Sequence, residues 1–368
     1  MKDARLLQPL TVLCLLAIAV CGCSTYGVSS APRSGPTGGC VAAGCGASPV
    51  GVGATGLGIF VEPQAGETPV LHAIEGAQRS IWVEVYLLTD RNVINALEDA
   101  VTRGVDVRAL LELNPCGSGS TSPETTLQEL QAAGVQAKGS DPAYVYTHEK
   151  AIIVDSATLL VLTANLTKSG LGGSSYAENR EYGVIDTTPA YVADVADVAD
   201  VADVQEAQAI FAADWQRTTP TLSDPNLVVS PINARARLEA FIASAKKTLI
   251  VEDEEMYDPE SENALIASAR RGVSVELVLP QPTGSSSGDA DVARQLQGGV
   301  HVRYIGSVFM HAKMLVTDGD WAFVGSENFS AHSLDHNREL GLLIADKHVI
   351  GTLDDTFQQD WTDAQAAG

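Results

Sequence analysis

Basic residues are scarce in this chain. Lys and Arg together number 23 against 46 Asp and Glu, a formal net charge of −23. Non-specific binding to a phosphate backbone needs a basic footprint, and none is visible at the level of the whole sequence. Nucleic acid is therefore disfavoured as a partner, although a negative total leaves room for a local cationic pocket. Cysteine is equally sparse, with six in 368 residues, three of them at positions 14, 21 and 23. Cys40, Cys45 and Cys116 remain, too few for a disulfide scaffold and without zinc-site spacing. Cys40 and Cys45 can pair across a small loop, which leaves Cys116 free. Beyond the N-terminus no apolar run is long enough to cross a bilayer. The composition also lacks the marks of disorder: 45% of residues are apolar and 19% charged. A globular chain of about two domains is expected.

The N-terminus reads as an address. Lys2 and Arg5 precede an apolar run over 10–20 that is too short for a permanent span. It ends in Val20-Cys21-Gly22-Cys23-Ser24, and a small residue before Cys resembles a bacterial lipoprotein signal. Residues 1–22 are thus expected to be removed and Cys23 to be acylated. Export to an oxidising compartment follows, with the chain lipid-anchored to the cell membrane or outer membrane and facing the periplasm or the surface. Residues 23–58, rich in Gly, Ser, Ala and Pro, read as a flexible tether.

From residue 59 the sequence repeats itself. Ile81-Trp82-Val83-Glu84 is strand-like, a helical stretch follows over 93–102, then Gly104 and a second strand at Val105. Leu249-Ile250-Val251-Glu252, a helical stretch over 264–270, Gly272 and Val273 give the same order. Glu84 to Gly104 and Glu252 to Gly272 are both 20 residues. Each Gly stands just past a helix, where a left-handed C′ residue is needed. Alternating strands and helices argue for α/β layers. The expected architecture is two similar α/β/α lobes with mixed sheets, 59–223 and 224–368, related by a pseudo-two-fold axis with the site at their interface. That symmetry lies within one chain, so a monomer suffices. The Val-Ala-Asp triplets over 192–203 drift around a helix and read as a helical surface extension. They lack the Gly turn and ligand spacing of a calcium loop.

Each half carries one sparse pattern. His148, Lys150, Asp155, Thr163 and Asn165 match His311, Lys313, Asp318, Ser326 and Asn328 offset for offset. Asn179-Arg180-Glu181 and Asn337-Arg338-Glu339 follow. With 7 His and 8 Lys in the chain, one His-x-Lys-x4-Asp arises by accident in roughly 1% of such sequences, so two in phase are not chance. Residues two apart in a strand share a face, so each His projects with its Lys. Two imidazoles and two ammonium groups facing one point suit in-line displacement at phosphorus.

The double motif, with Gly325-Ser326-x-Asn328 after the second, resembles the phospholipase D superfamily over nearly all of 59–368. The resemblance implies a phosphodiesterase or phosphatidyl transferase that needs no metal and no cofactor. It implies a phosphohistidine intermediate, with His148 as nucleophile and His311 as acid and base. Lys150, Lys313, Thr163, Asn165, Ser326 and Asn328 would hold phosphate oxygens. Asp155 and Asp318, part of the same catalytic signature, are expected to buttress loops through backbone N–H groups. Glu181 and Glu339 would orient the imidazoles, with the pairing left open. The first motif departs from the pattern, since Leu162 replaces the Gly. A phospholipid is the expected substrate, hydrolysed or transferred as in cardiolipin synthases, with a secreted nuclease as the alternative. His332 and His336 have helical zinc spacing but no surrounding metal motif, so they are expected at the surface or behind the site, near enough to the cleft by sequence for either to touch a substrate. Glu84 and Glu252 either reach the cleft or make structural hydrogen bonds.

Overall fold

The computed structural model describes residues 53–116, 122–174, 178–187, 199–282 and 289–367. The expected signal, the Cys23 acylation site and most of the tether lie outside them. The first half runs β1 (Gly58–Glu62), α1 (Thr68–Gly76), β2 (Ser80–Val85), α2 (Arg91–Thr102), β3 (Asp106–Leu111), α3 (Pro123–Ala132), β4 (Gln136–Gly139), β5 (Lys150–Val154), β6 (Thr158–Leu162), β7 (Asn179–Thr187) and α4 (Ala199–Gln216). The second runs β8 (Leu227–Ser230), α5 (Ala234–Ser244), β9 (Thr248–Asp253), α6 (Pro259–Arg270), β10 (Ser274–Pro280), α7 (Asp289–Gly298), β11 (His301–Ile305), β12 (Phe309–Met310), β13 (Lys313–Thr317), β14 (Trp321–Gly325), α8 (Ala331–Asp335), β15 (Glu339–Ile344), α9 (Lys347–Asp363) and β16 (Gln365–Ala366).

The two sheets have the same order. One is β1-β7-β6-β5-β2-β3-β4 and the other β8-β15-β14-β13-β9-β10-β11, with β16 added at its far edge. In both, the motif strand lies antiparallel to the repeated first strand: Lys150 pairs Val85 and Lys313 pairs Asp253. The following strand of the repeat is parallel, reached through a helix. The helices obey the local rules. Asp90 caps α2 and Asp258 caps α6 by accepting backbone N–H bonds. Gly104 and Gly272 end them with φ of +90° and +93°, which only glycine adopts without strain.

Burial explains the layers. Val93, Ile94, Leu97 and Leu130 pack on the outer face of the first sheet against Val83 and Ile152. Leu238, Phe241, Ile242 and Leu265 cover the second in the same way. The inner faces share one core, where Ile153 and Val161 meet Met314, Val324 and Leu342, flanked by Ile210 and Phe211 of α4 and Phe357 of α9. A shared apolar core makes the halves one folding body rather than two hinged domains.

Three expectations change. The ordered chain starts before residue 59, because Ala54 bridges Ile344 and Gly53 donates to the Asn226 side chain at 2.9 Å. The Val-Ala-Asp tract is not wholly a surface extension, since its end opens α4 and Asp203 is buried against Asn226; the earlier triplets fall outside the described residues. Cys116 is not free but disulfide-bonded. Among the described residues no helix is long and apolar enough to cross a membrane.

Candidate active site

The two motif histidines are held across the lobes. The loop before β5 crosses to the other sheet, where Thr147 bridges Arg338 and both His148 N and Glu149 N donate to the Arg338 carbonyl, at 2.8 and 3.0 Å. The second loop mirrors this. β12 pairs with the start of β7, Met310 opposite Arg180, and His311 N donates to the Arg180 carbonyl at 3.3 Å. Each imidazole therefore leaves its own sheet at the point where the other sheet presents a glutamate.

The glutamates serve the opposite histidine. His148 Nδ1 is 2.8 Å from Glu339 Oε2, and His311 Nδ1 is 2.7 Å from Glu181 Oε1. Both carboxylates are fully buried and further fixed. Thr163 Oγ1 donates to Glu181 at 2.6 Å and Asn179 Nδ2 at 3.0 Å. Ser333 Oγ donates to Glu339 at 2.7 Å and Asn337 Nδ2 at 3.0 Å. With Nδ1 anchored in this way, Nε2 is the nitrogen left for chemistry in each ring.

Lys150 and Lys313 are buried two residues along, each Nζ donating to the carbonyl of its own histidine, at 2.5 and 2.6 Å. Their environments differ. Burial pushes Lys150 down to about 7, against the pull of Glu339. Burial acts the same way on Lys313, but Glu254, Glu181 and Asp253 outweigh it and raise its pKa. Burial also pushes His148 down to about 4, with Glu339 opposing. His148 is thus a neutral imidazole near neutral pH. The two halves act on one another: Lys313 bears on Lys150 and on His148, and Glu254 feels both histidines. They meet where the two sheets face one another.

The other sequence candidates sort clearly. Asp155 accepts from the backbone of Gln78, Arg79 and Ser80 at 2.9, 2.6 and 2.9 Å, and Asp318 from Lys246, Lys247 and Thr248 at 3.0, 2.7 and 3.0 Å. These bonds hold both carboxyls below their ordinary range against partial burial. They lie at the far ends of β5 and β13 from the histidines and staple the sheets, the buttressing role expected for them. Thr163 and Ser326, expected to bind phosphate, are hydrogen-bonded within the protein. The Thr163 hydroxyl is taken by Glu181, and Ser326 Oγ accepts from Leu340 N at 3.1 Å. Asn165 and Asn328 each keep a buried amide oxygen without a partner; the amide turned over would present its NH2 group there instead, the end that a phosphate oxygen requires.

Leu162 is buried opposite Gly183, where a Cβ on the glycine would lie 2.1 Å from Phe60. In the second lobe Gly325 faces Gly341, and a Cβ on Gly325 would lie 2.6 Å from the Gly341 Cα. His332 and His336 are both exposed on and beside the short α8. Glu252 is structural, accepting from Tyr182 at 2.6 Å. Glu84 is buried with Glu149 and Asp214, their carboxylate oxygens within 4.8 Å of one another. Arg338 lies 2.9 Å from Asp214 and compensates that cluster. Arg180 and Asp360 form the equivalent pair in the other half.

Sequence reasoning missed Asp214, Asp360 and Glu254. Asp214 and Asp360 are far from their arginines in sequence, and acidic residues are common here. Glu254 had a signal: it stands 168 residues after Tyr86, at the matching point of the repeat. Tyr86 packs edge-on against His148, with centroids 4.6 Å apart. Glu254 Oε2 lies 3.3 Å from His311 Nε2 and 3.0 Å from Lys313 Nζ.

The sequence matches the family described as "Cardiolipin synthase, PLD-like domain" over residues 70–215 and 238–361. It is similar to "Probable cardiolipin synthase YwiE" of Bacillus subtilis, 24% identical over 335 residues, covering 80% of this chain and 64% of that protein. Cardiolipin synthase B of Salmonella typhimurium is 26% identical over 338 residues, covering 78% and 76%. The fold is similar to that of phosphatidylserine synthase of Haemophilus influenzae, with TM-score 0.61, 15% identity, 84% of this chain and 87% of that chain. It is also similar to polyphosphate kinase of Porphyromonas gingivalis, with TM-score 0.65, 12% identity, and 84% and 48% coverage. With the family matched over 70–215 and 238–361, across both lobes, the chain belongs to the phospholipase D-like family.

Proposed function

We propose that the protein cleaves a phospholipid phosphodiester and passes the phosphatidyl group to water or to an alcohol. The observation that carries this is the crossed pairing of each buried histidine with a glutamate of the other lobe. It leaves two reactive Nε2 atoms and two buried lysines at one pocket. A phosphoryl oxygen that gains charge in the transition state is stabilised by fixed cations and amides of this kind.

His148, neutral down to about 4, suits the nucleophile. Its Nε2 forms a bond to phosphorus as the bond from phosphorus to the leaving oxygen breaks. His311 gives its proton to that oxygen. In the second half the incoming hydroxyl loses its proton to His311 and attacks phosphorus, and the bond from phosphorus to His148 breaks. Lys150, Lys313, Asn165 and Asn328 hold the non-bridging oxygens. Glu339 and Glu181 orient the rings. No metal takes part in any step. The anchor expected at Cys23 would keep the body beside its substrate, and Cys23→Ala should release it from membranes.

The test is product analysis. Wild type and His148→Asn are incubated with mixed phospholipid vesicles, ethanol and EDTA. Phosphatidic acid or phosphatidylethanol from wild type alone supports the reading. Cleavage of added single-stranded DNA with untouched lipid, or activity lost to EDTA, contradicts it.

A further inference from the structure

The pocket already holds an anion of its own. Glu254 follows β9, and its Oε2 lies 3.0 Å from Lys313 Nζ and 3.3 Å from His311 Nε2. Those are two groups that a phosphoryl oxygen would need in the second lobe. The first lobe has no counterpart, because Tyr86 stands at the matching position and offers a ring to His148 and Lys150. The asymmetry does not follow from the order of the main strands, which is the same in both sheets apart from β12 and β16. Glu254 is also the one member of this buried group that keeps notable exposure, with 22% of its side chain accessible. It therefore has a way out. Burial would favour the neutral acid, but His311 and Lys313 overcome it and hold the carboxyl down at about 2. It is an anion throughout the working range.

We propose that Glu254 is an internal competitor for the phosphate pocket, seated on Lys313 and His311 Nε2 in the resting protein and displaced when a phosphodiester substrate binds. This rests on the reading of the pocket as a phosphodiester site. A ligand can displace the carboxylate only by supplying more binding energy than the contacts it replaces. A phospholipid has such a surplus in contacts beyond its phosphate. Inorganic phosphate does not, and it is repelled by the carboxylate. Glu254 thus selects for large diesters and against free phosphate, and it covers the His311 proton until substrate arrives.

The experiment is calorimetric titration of the full chain with inorganic phosphate at pH 7. Wild type, Glu254→Gln and Glu255→Gln are compared, the last because Glu255 is adjacent but bonds to Tyr257 instead. Glu254→Gln should bind phosphate at least about tenfold more tightly than wild type, while Glu255→Gln should resemble wild type. Equal affinity in wild type and Glu254→Gln overturns the proposal, as does an equal gain in Glu255→Gln, which would mark a general charge effect. Glu254→Ala repeats the measurement should the amide retain the contact with Lys313, with the same expected gain. Phospholipid turnover by the same proteins separates the two readings. Tighter phosphate binding without any lipid turnover keeps the competitor and removes the proposed function. Lipid turnover with no gain in phosphate affinity does the reverse. A large loss of kcat in Glu254→Gln with unchanged phosphate affinity would make Glu254 a catalytic residue and end the proposal.

Discussion

The two histidines share a motif but not an environment. His148 has one carboxylate, on Nδ1, and a tyrosine ring at its side. His311 has a carboxylate beside each nitrogen, Glu181 at 2.7 Å and Glu254 at 3.3 Å. Anions against both nitrogens suit a ring that carries two protons, the form a general acid needs. In the proposed mechanism these contacts, rather than motif order, support the division of labour. It has a consequence for pH. Because His148 is pushed down to about 4 by burial, kcat/KM should persist well below the ordinary histidine range and fail only near pH 4. Lys150, pushed down to about 7, loses its charge above that and should give an alkaline decline. A profile whose acid limb sits near 6.5 would contradict this assignment. Glu339→Gln removes the anion that orients His148. By the logic of a carboxylate–histidine pair, kcat should fall roughly 100-fold or more with little change in KM.

At the scale of elements, each strand that carries a motif does two jobs at opposite ends. β5 and β13 present His and Lys at their starts, and the turns at their far ends place Asp155 and Asp318 on three backbone N–H groups each. Asp155→Asn should therefore cost stability, about 1–3 kcal/mol in denaturant unfolding, while the refolded enzyme keeps its kcat. A selective loss of kcat at full stability would return Asp155 to the active site. These staples were legible in sequence as fixed offsets, because a strand and its turn convert spacing into geometry. The repeat was legible for the same reason, and so were the glycine stops of α2 and α6. The crossed contacts were not. His148 and Glu339 are 191 residues apart, and Arg338 and Asp214 are 124 apart. Nothing local decides such pairings; they come from the shared core that sets one sheet against the other. The bonds that Thr163 and Ser326 make, to Glu181 and to the Leu340 N–H, were not legible either, because a buried carboxylate or strand edge that captures a hydroxyl leaves no local signal.

At the scale of the molecule, the active site sits on an interior unusually rich in buried acids. Burial raises Glu149 and Glu252 to about 8, Asp203 to about 9 and Glu62 to about 7. A carboxyl with a raised folded pKa keeps its proton in the native state where the unfolded chain has lost it. Stability then falls as pH rises from the ordinary carboxylate range toward the raised value. His148 and Lys150 are lowered and act with the opposite sign, His148 between about 4 and 6.5 and Lys150 above about 7. Between pH 6.5 and 8 the acids outnumber Lys150. Tm should decline across that interval by at least about 2–4 °C, the effect of roughly 1 kcal/mol in a chain of this size. A Tm that rises over the same interval would show these carboxyls to be ionised in the native state.

In the proposed mechanism His148 carries the phosphatidyl group between donor and acceptor. A phospholipid analogue with a p-nitrophenyl leaving group needs no acid for the first step, so His311→Asn should still form the adduct but release it slowly. Rapid quenching at alkaline pH, digestion and mass spectrometry would then locate the modified residue. The expected result is a phosphorus adduct on the peptide containing His148, absent from His148→Asn. An adduct elsewhere, or steady turnover by His148→Asn, would contradict it.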